Sequence, residues 1–238
     1  MLRRQETLLA TSAVALFTIA LLHVRKRWRI HRALKQEQTR AFALARIHEM
    51  VAKPLRVPGG LVASEMDVDD TRLRLPASLG PGGRILLGDL GHLEFLLEGG
   101  GGKLWASHQE EKPIRAVLVC MGGAVAPVAK LFQRKGLDYH ELAGCEDRET
   151  YPIIARHLEE AVAFLQEQLA AHPDGCVLVH CHEGKNRSAT LCIAYLMVQH
   201  RMRLEDAVAH VWERRPIVLS NDSFVEQLVD LAAANNLL

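Results

Sequence analysis

The sequence predicts an α/β fold in which a mostly parallel central sheet is flanked by helices, preceded by an N-terminal hydrophobic helix. Short aliphatic runs, such as Val177–Val179, alternate beyond residue 84 with longer runs of helical periodicity. Strands that alternate with helices form mostly parallel sheets. With 49% hydrophobic but only 5% aromatic residues, the chain can build a sizeable core that is largely aliphatic.

Each element is predicted from its own local pattern. Residues 152–170 place apolar side chains at helical spacing, and the pair Arg215-Pro216 ends another helical run. In chain order we expect a strand over 114–120, a helix over 128–135, strands over 137–142 and 176–180, helices over 152–170, 188–200 and 204–214, and a last helix capped by Asn221 or Asp222.

Residues 7–24 form an uncharged, mostly apolar run of 18 residues, which is just long enough to cross a bilayer. Five basic residues follow it between Arg25 and Arg32, with Trp28 among them. The heavier positive flank predicts a membrane anchor with the body facing the cytosol, and the outer mitochondrial membrane and the endoplasmic reticulum are candidate locations. A signal peptide and a buried core helix are the alternatives.

Charge divides the chain into a basic N-terminal part and an acidic body. Residues 1–56 hold 12 Lys and Arg against 3 Asp and Glu, and the remainder holds 17 against 25. Residues 29–53 resemble a basic helix, either on a membrane surface or as a spacer, and Pro54 and Pro58 interrupt it. We therefore predict an anchor at 1–28, a basic helix and linker at 29–82, and a catalytic domain at 83–238.

The clearest chemistry lies in residues 180–188, HCHEGKNRS, between a predicted strand and a predicted helix. A loop that opens onto a helix N-terminus binds anions, because its N–H groups and the helix dipole present positive charge. Into this site the sequence places the thiol of Cys181 and the guanidinium of Arg187. Positive surroundings favour a thiolate nucleophile, and a guanidinium binds two phosphate oxygens. The loop therefore predicts covalent phosphoryl transfer to Cys181.

This string resembles the signature of cysteine-dependent protein phosphatases, and its flanks, VLVHC and RSATLCIAYLM, resemble the dual-specificity (atypical) branch. The resemblance covers about residues 84–238, and residues 84–98 are similar to the strand and short helix that open such domains. It implies a protein tyrosine phosphatase-like fold that hydrolyses phosphomonoesters. It also implies that phosphate is bound by the loop residues His182, Glu183, Gly184, Lys185, Asn186 and Arg187.

The leaving oxygen of a phosphomonoester needs a proton donor. In phosphatases of this kind an Asp lies some thirty residues before the Cys, and Asp147 lies 181 − 147 = 34 positions before Cys181. We predict that Asp147 is the general acid, with Glu146 and Glu149 as alternatives.

Three further residues complete the predicted site. Ser188 is expected to be catalytic, because its hydroxyl can donate to the sulfur and help it leave, and the other two support the loop. The resemblance implies that His180 shapes the loop backbone, and that Asn221 braces the loop. Glycine at 184 permits the positive φ that such a loop needs.

The remaining residues bear on partners and substrate. Five cysteines without paired spacing favour a reducing compartment, and Cys145 is a candidate redox partner for Cys181. No spacing matches a zinc site, so we expect neither metal nor cofactor. We expect a phosphorylated protein as substrate and no nucleic acid. A phosphoinositide or other phospholipid substrate is the alternative, and a catalytically silent phosphate-binding adaptor is a third.

Overall fold

The computed structural model describes residues 2–52, 77–79, 84–98, 112–123 and 126–238. Helix α1 (Leu2–Val51) comes first, and side chains are described within it only at residue 22 and from residue 25 onward. The predicted linker over 53–76 lies outside the described residues.

The central sheet has five strands in the order β1-β2-β5-β3-β4. Strand β1 pairs antiparallel with β2, and the other neighbouring pairs are parallel. The predicted α/β class with a mostly parallel sheet is therefore confirmed. The strands are β1 (Ala77–Leu79), β2 (Ile85–Gly88), β3 (Ile114–Val119), β4 (Asp138–Glu141) and β5 (Cys176–His180).

Helices cover both faces of the sheet because the central strands bury side chains on both sides. Val179 of β5 joins the larger core with the last four helices, and Leu178 joins a smaller core with the short helices before them. The helices after α1 are α2 (Leu90–Glu98), α3 (Ala126–Arg134), α4 (Ile153–Ala171), α5 (Arg187–His200), α6 (Leu204–Arg214) and α7 (Asp222–Asn235).

The chain divides into two compact units, residues 1–42 and 43–238. The second unit includes the end of α1, where Ala43 and Ile47 are buried in the larger core. These two residues are four positions apart, so they lie on the same face of the helix. Residues 43–51 and strand β1 therefore share a unit with the sheet, although we assigned both to the segment 29–82.

Among the residues that the structure describes, no helix combines the length and the apolar character needed to cross a bilayer. The uncharged run at 7–24 of the predicted anchor falls within α1, but nearly all its side chains lie outside the described residues. The structure therefore does not support the N-terminal membrane span.

Candidate active site

The site is built on the loop between β5 and α5, residues 181–186, which we call the cradle loop. It follows the carboxyl end of a central parallel strand, which is where ligands of open α/β sheets bind. Cys181 is buried, and the Ser188 hydroxyl donates a hydrogen bond to its Sγ at 3.2 Å. Arg187 is the first residue of α5, so the helix N-terminus and a guanidinium lie at the end of the loop.

Gly184 allows the cradle loop to turn. Its φ is +66°, a region that disfavours residues with a Cβ. A Cβ at this position would lie 2.6 Å from the Gly88 carbonyl oxygen and 2.7 Å from Nη2 of Arg215. The turn therefore needs glycine for its backbone conformation and for the space around it.

Arg215 supports the cradle loop from behind, and the sequence did not identify it. Its side chain is 1% exposed, and it donates to the carbonyl oxygens of Gly184 at 3.0 Å and Glu183 at 2.9 Å. It also donates to Oδ2 of Asp89 at 2.9 Å, and Asp89 Oδ1 lies 2.6 Å from Nδ1 of His92. The loop carbonyls thus point away from the site toward buried positive charge, which leaves loop N–H groups available to an anion.

Asp89 is ionised in this arrangement. Burial alone would raise the pKa of its carboxyl, but the hydrogen bonds and charge of His92, together with Arg215, place that pKa far below its usual range. One signal in the sequence could have identified Asp89. It directly follows β2, and the carboxyl ends of the parallel strands β2 and β5 lie at the same edge of the sheet.

His180 ends β5 and is completely buried. Its Nδ1 lies 3.4 Å from the carbonyl oxygen of Cys181, which can only accept, so Nδ1 carries the proton in that contact. Its own carbonyl oxygen accepts from the N–H of Cys120 at 2.8 Å. Burial lowers the pKa of His180 to about 4, so the ring is neutral at pH 7.

Asp147 lies at the mouth of the site, on residues 143–150 between β4 and α4, which we call the acid loop. Its carboxylate accepts from Nδ2 of Asn221 at 2.9 Å and from Nδ2 of Asn186 at 3.1 Å. Nε of Arg187 lies 3.9 Å from Oδ2 of Asp147. The structure therefore brings the predicted acid close to the predicted phosphate ligand. Glu146 instead pairs with Arg148 at 2.5 Å.

The outer edge of the cradle loop is electrically balanced. Lys185 Nζ lies 3.1 Å from the carboxylate of Glu183, and both side chains reach solvent. His182 is exposed, and its carbonyl oxygen accepts from the N–H of Leu90. The acid loop has a similar pair in Glu146 and Arg148. The charges that flank the site thus largely cancel, and Arg187 is the cation at its centre.

Cys145 lies at the start of the acid loop, where its carbonyl oxygen accepts from Nη1 of Arg187 at 3.4 Å. Burial raises the pKa of its thiol to about 12, so it is protonated at neutral pH. A redox role for Cys145 stays a prediction. Among the residues with described positions, no cluster of three or more His, Cys, Asp or Glu is placed to hold a metal ion.

A family model described as the catalytic domain of dual specificity phosphatases matches residues 102–234, which is more than half of the chain. The chain therefore belongs to that family, the dual-specificity branch of the cysteine-dependent phosphatases. Dual specificity protein phosphatase 2 of Mus musculus is 39% identical over 97 residues, covering 41% of this chain and 30% of the relative. Dual specificity protein phosphatase 1 of Arabidopsis thaliana is 45% identical over 78 residues, covering 33% of this chain and 38% of the relative. These matches span well under half of either relative.

Solved structures show the same fold. OH1 from the Orf virus, a tyrosine phosphatase, has a TM-score of 0.54 with 17% identity, over 81% of this chain and 98% of that one. Tk-PTP in its active form has a TM-score of 0.52 with 21% identity, over 66% of this chain and 95% of that one. These likenesses establish the fold, and the chemistry of this chain rests on its own residues.

Proposed function

We propose that this protein hydrolyses phosphomonoesters through a phosphocysteine intermediate on Cys181, and that its substrates are phosphoproteins carrying phosphotyrosine and phosphoserine or phosphothreonine. One observation carries the proposal. A buried sulfur lies within hydrogen-bond distance of the Ser188 hydroxyl, at the N-terminus of a helix that begins with Arg187. This arrangement supplies a nucleophile, a stabilising donor and a phosphate ligand at a single point of the fold.

In the first step the Cys181 thiolate attacks phosphorus, so an S–P bond forms while the P–O bond to the leaving group breaks. Arg187 and the loop N–H groups bind the phosphoryl oxygens and stabilise their charge in the transition state. The leaving oxygen takes a proton from Asp147, which prevents an unstable alkoxide or phenoxide from forming.

In the second step a water molecule attacks phosphorus, and the S–P bond breaks. Asp147, now a carboxylate, takes one proton from this water as it attacks. The Ser188 hydroxyl donates to the sulfur as negative charge returns to it, which makes the thiolate a better leaving group. Inorganic phosphate then leaves, and both side chains return to their starting state.

The charge around the site supports a protein substrate over a polyphosphorylated lipid. A lipid headgroup with several phosphates needs cations beside the one that binds the reacting phosphate. Within the cradle loop and the acid loop, the Lys and Arg side chains are Lys185 and Arg148, and each is paired with an acidic neighbour. Neither the cradle loop nor the acid loop contains Phe, Tyr or Trp, so neither loop supplies an aromatic wall that would restrict the site to phosphotyrosine. A lipid phosphatase is the second candidate, which we favour less because of these ion pairs.

The test compares phosphotyrosine and phosphoserine peptides with short-chain phosphoinositides, for the wild type and Cys181→Ser. We expect turnover of the peptides by the wild type and none by Cys181→Ser. Glu183→Gln, which removes the partner of Lys185, should improve activity toward the phosphoinositides relative to the peptides. A strong lipid preference of the wild type would exclude the protein substrate. Equal measurable rates for wild type and Cys181→Ser would exclude the mechanism, and no turnover of either class by the wild type would leave a phosphate-binding adaptor.

We also propose that residues 7–24 tether this phosphatase to a membrane, with its catalytic domain on the cytosolic side. The support is the uncharged run itself and the basic residues after it, among which Trp28 is 72% exposed. The test is fractionation and imaging of residues 1–56 fused to a fluorescent protein. A matched fusion in which Leu16 and Leu21 are replaced by Asp should be soluble. If the unaltered fusion is equally soluble, the tether is excluded.

A further inference from the structure

The side chain of Asn186 contacts two other segments of the site. Its Oδ1 accepts from the backbone N–H groups of Ser220 at 2.9 Å and Asn221 at 3.2 Å, and from the Ser220 hydroxyl at 3.1 Å. Backbone N–H groups can only donate, so these bonds fix which end of the amide is oxygen. Its Nδ2 therefore faces the acid loop, where it donates to Asp147. Asn186 thus connects the cradle loop to the acid loop and to the segment before α7.

Asp147 depends on these contacts for its position. Residues 146–150 of the acid loop are exposed, and the Asp147 side chain itself is 30% exposed. Its Oδ1 accepts from Nδ2 of Asn221 at 2.9 Å and from Nδ2 of Asn186 at 3.4 Å, and its Oδ2 accepts from the latter at 3.1 Å. Without these two amides, little else would fix the carboxyl over the cradle loop.

We propose that Asn186 and Asn221 are positioning residues that form a clamp on Asp147, aligning this acid with the leaving group. The proposal rests on the proposed function, because it concerns the proton donor of that reaction. Asn221 donates to Oδ1 at 2.9 Å, and the shorter bond of Asn186 goes to Oδ2 at 3.1 Å. The two amides therefore hold both oxygens of the carboxyl, which fixes its orientation toward the substrate.

The clamp acts on proton transfer, so its loss has a distinct kinetic signature. A nitrophenolate leaving group departs without help, whereas an alkoxide needs a proton as it leaves. We expect Asn186→Ala to lower kcat about 10-fold to 100-fold on an alkyl phosphate and less than about threefold on p-nitrophenyl phosphate. In an Asp147→Asn background the same substitution should cause no further loss, because there is no acid left to align.

Asn186→Asp separates the clamp from the structural role of the side chain. The carboxylate of this variant can still accept from Ser220 and Asn221, but an oxygen replaces the amide that donates to Asp147. We expect it to show the same leaving-group dependence as Asn186→Ala. Inhibition of the uncharged variant Asn186→Ala by orthovanadate, which occupies the cradle without needing an acid, should stay within about threefold of the wild type.

Two outcomes would overturn the clamp. One is an equal loss on both leaving groups, or weakened orthovanadate inhibition, which would show that Asn186 only maintains the cradle. The other is that Asn186→Ala lowers kcat on the alkyl phosphate just as much in the Asp147→Asn background as in the wild type. Failure of the proposed function would be recognised separately, because Cys181→Ser would then retain the activity of the wild type.

Discussion

Arg215 offers a quantitative test of how the cradle loop is stabilised. Arg215→Met keeps most of the side-chain volume but removes the guanidinium that binds Asp89 and two loop carbonyl oxygens. Removing one partner of a buried ion pair costs about 3–5 kcal/mol, because the other charge stays buried. Asp89 is 26% exposed and keeps its contact with His92, so we place the loss at the lower end, about 3 kcal/mol.

The assay is urea unfolding at pH 7, with phosphatase activity measured on the same samples. Arg214→Met is the matched control, since Arg214 is the adjacent residue and its side chain is 40% exposed. The Arg214→Met substitution should change the free energy of unfolding by less than about 0.5 kcal/mol. We expect Arg215→Met to be both less stable and far less active. If the free energy of unfolding of Arg215→Met equals that of the Arg214→Met control, the contacts of Arg215 do not stabilise the fold as described.

Two further predictions concern the backbone and the buried histidine of the site. Gly184→Ala should abolish activity because its Cβ would meet the carbonyl oxygen of Gly88, whereas Gly136→Ala, with φ +64° but open space, should stay active in the same phosphatase assay. His180 stays neutral when folded, while the unfolded chain takes up a proton below about pH 6.5. The folded pKa is lowered, so stability should fall as pH drops from 7 to 4, by about 3 kcal/mol from this residue. His180→Asn should flatten that decline in unfolding experiments across this range, and an unchanged slope would contradict the assignment.

Much of the fold follows from local patterns. Strand β5 spans the predicted residues 176–180, and α6 spans the predicted 204–214, because aliphatic runs and helical periodicity mark them directly. Strand β1 was not predicted because three residues carry too little periodicity, and it forms only by pairing with β2. The burial of Ile47 at the end of α1 likewise depends on packing against distant helices.

The candidate site was predictable where its residues are close in sequence. The nucleophile, the phosphate ligand and the glycine turn were all predicted within residues 180–188. The spacing from Cys181 predicted Asp147 as the acid, and the structure places its carboxylate 3.9 Å from Nε of Arg187. The pairing of Asp89 with Arg215 joins residues 126 positions apart, and no local pattern indicates it. Phosphate binding by Asn186 as part of the loop stays a prediction, while its side chain faces Asp147 and Ser220, which the sequence did not indicate. Sequence spacing indicates which residues share a loop, and the fold decides where their side chains point.

The phosphocysteine intermediate is the central claim, and it can be trapped. Ser188→Ala removes the hydroxyl 3.2 Å from the sulfur, which should slow the second step more than the first. We therefore expect the intermediate to accumulate when this variant is mixed with an aryl phosphate and quenched within a turnover. Mass spectrometry of the digested protein should then find the phosphoryl group on Cys181. Turnover without any phosphoryl group on that cysteine, in both the wild type and Ser188→Ala, would contradict the account.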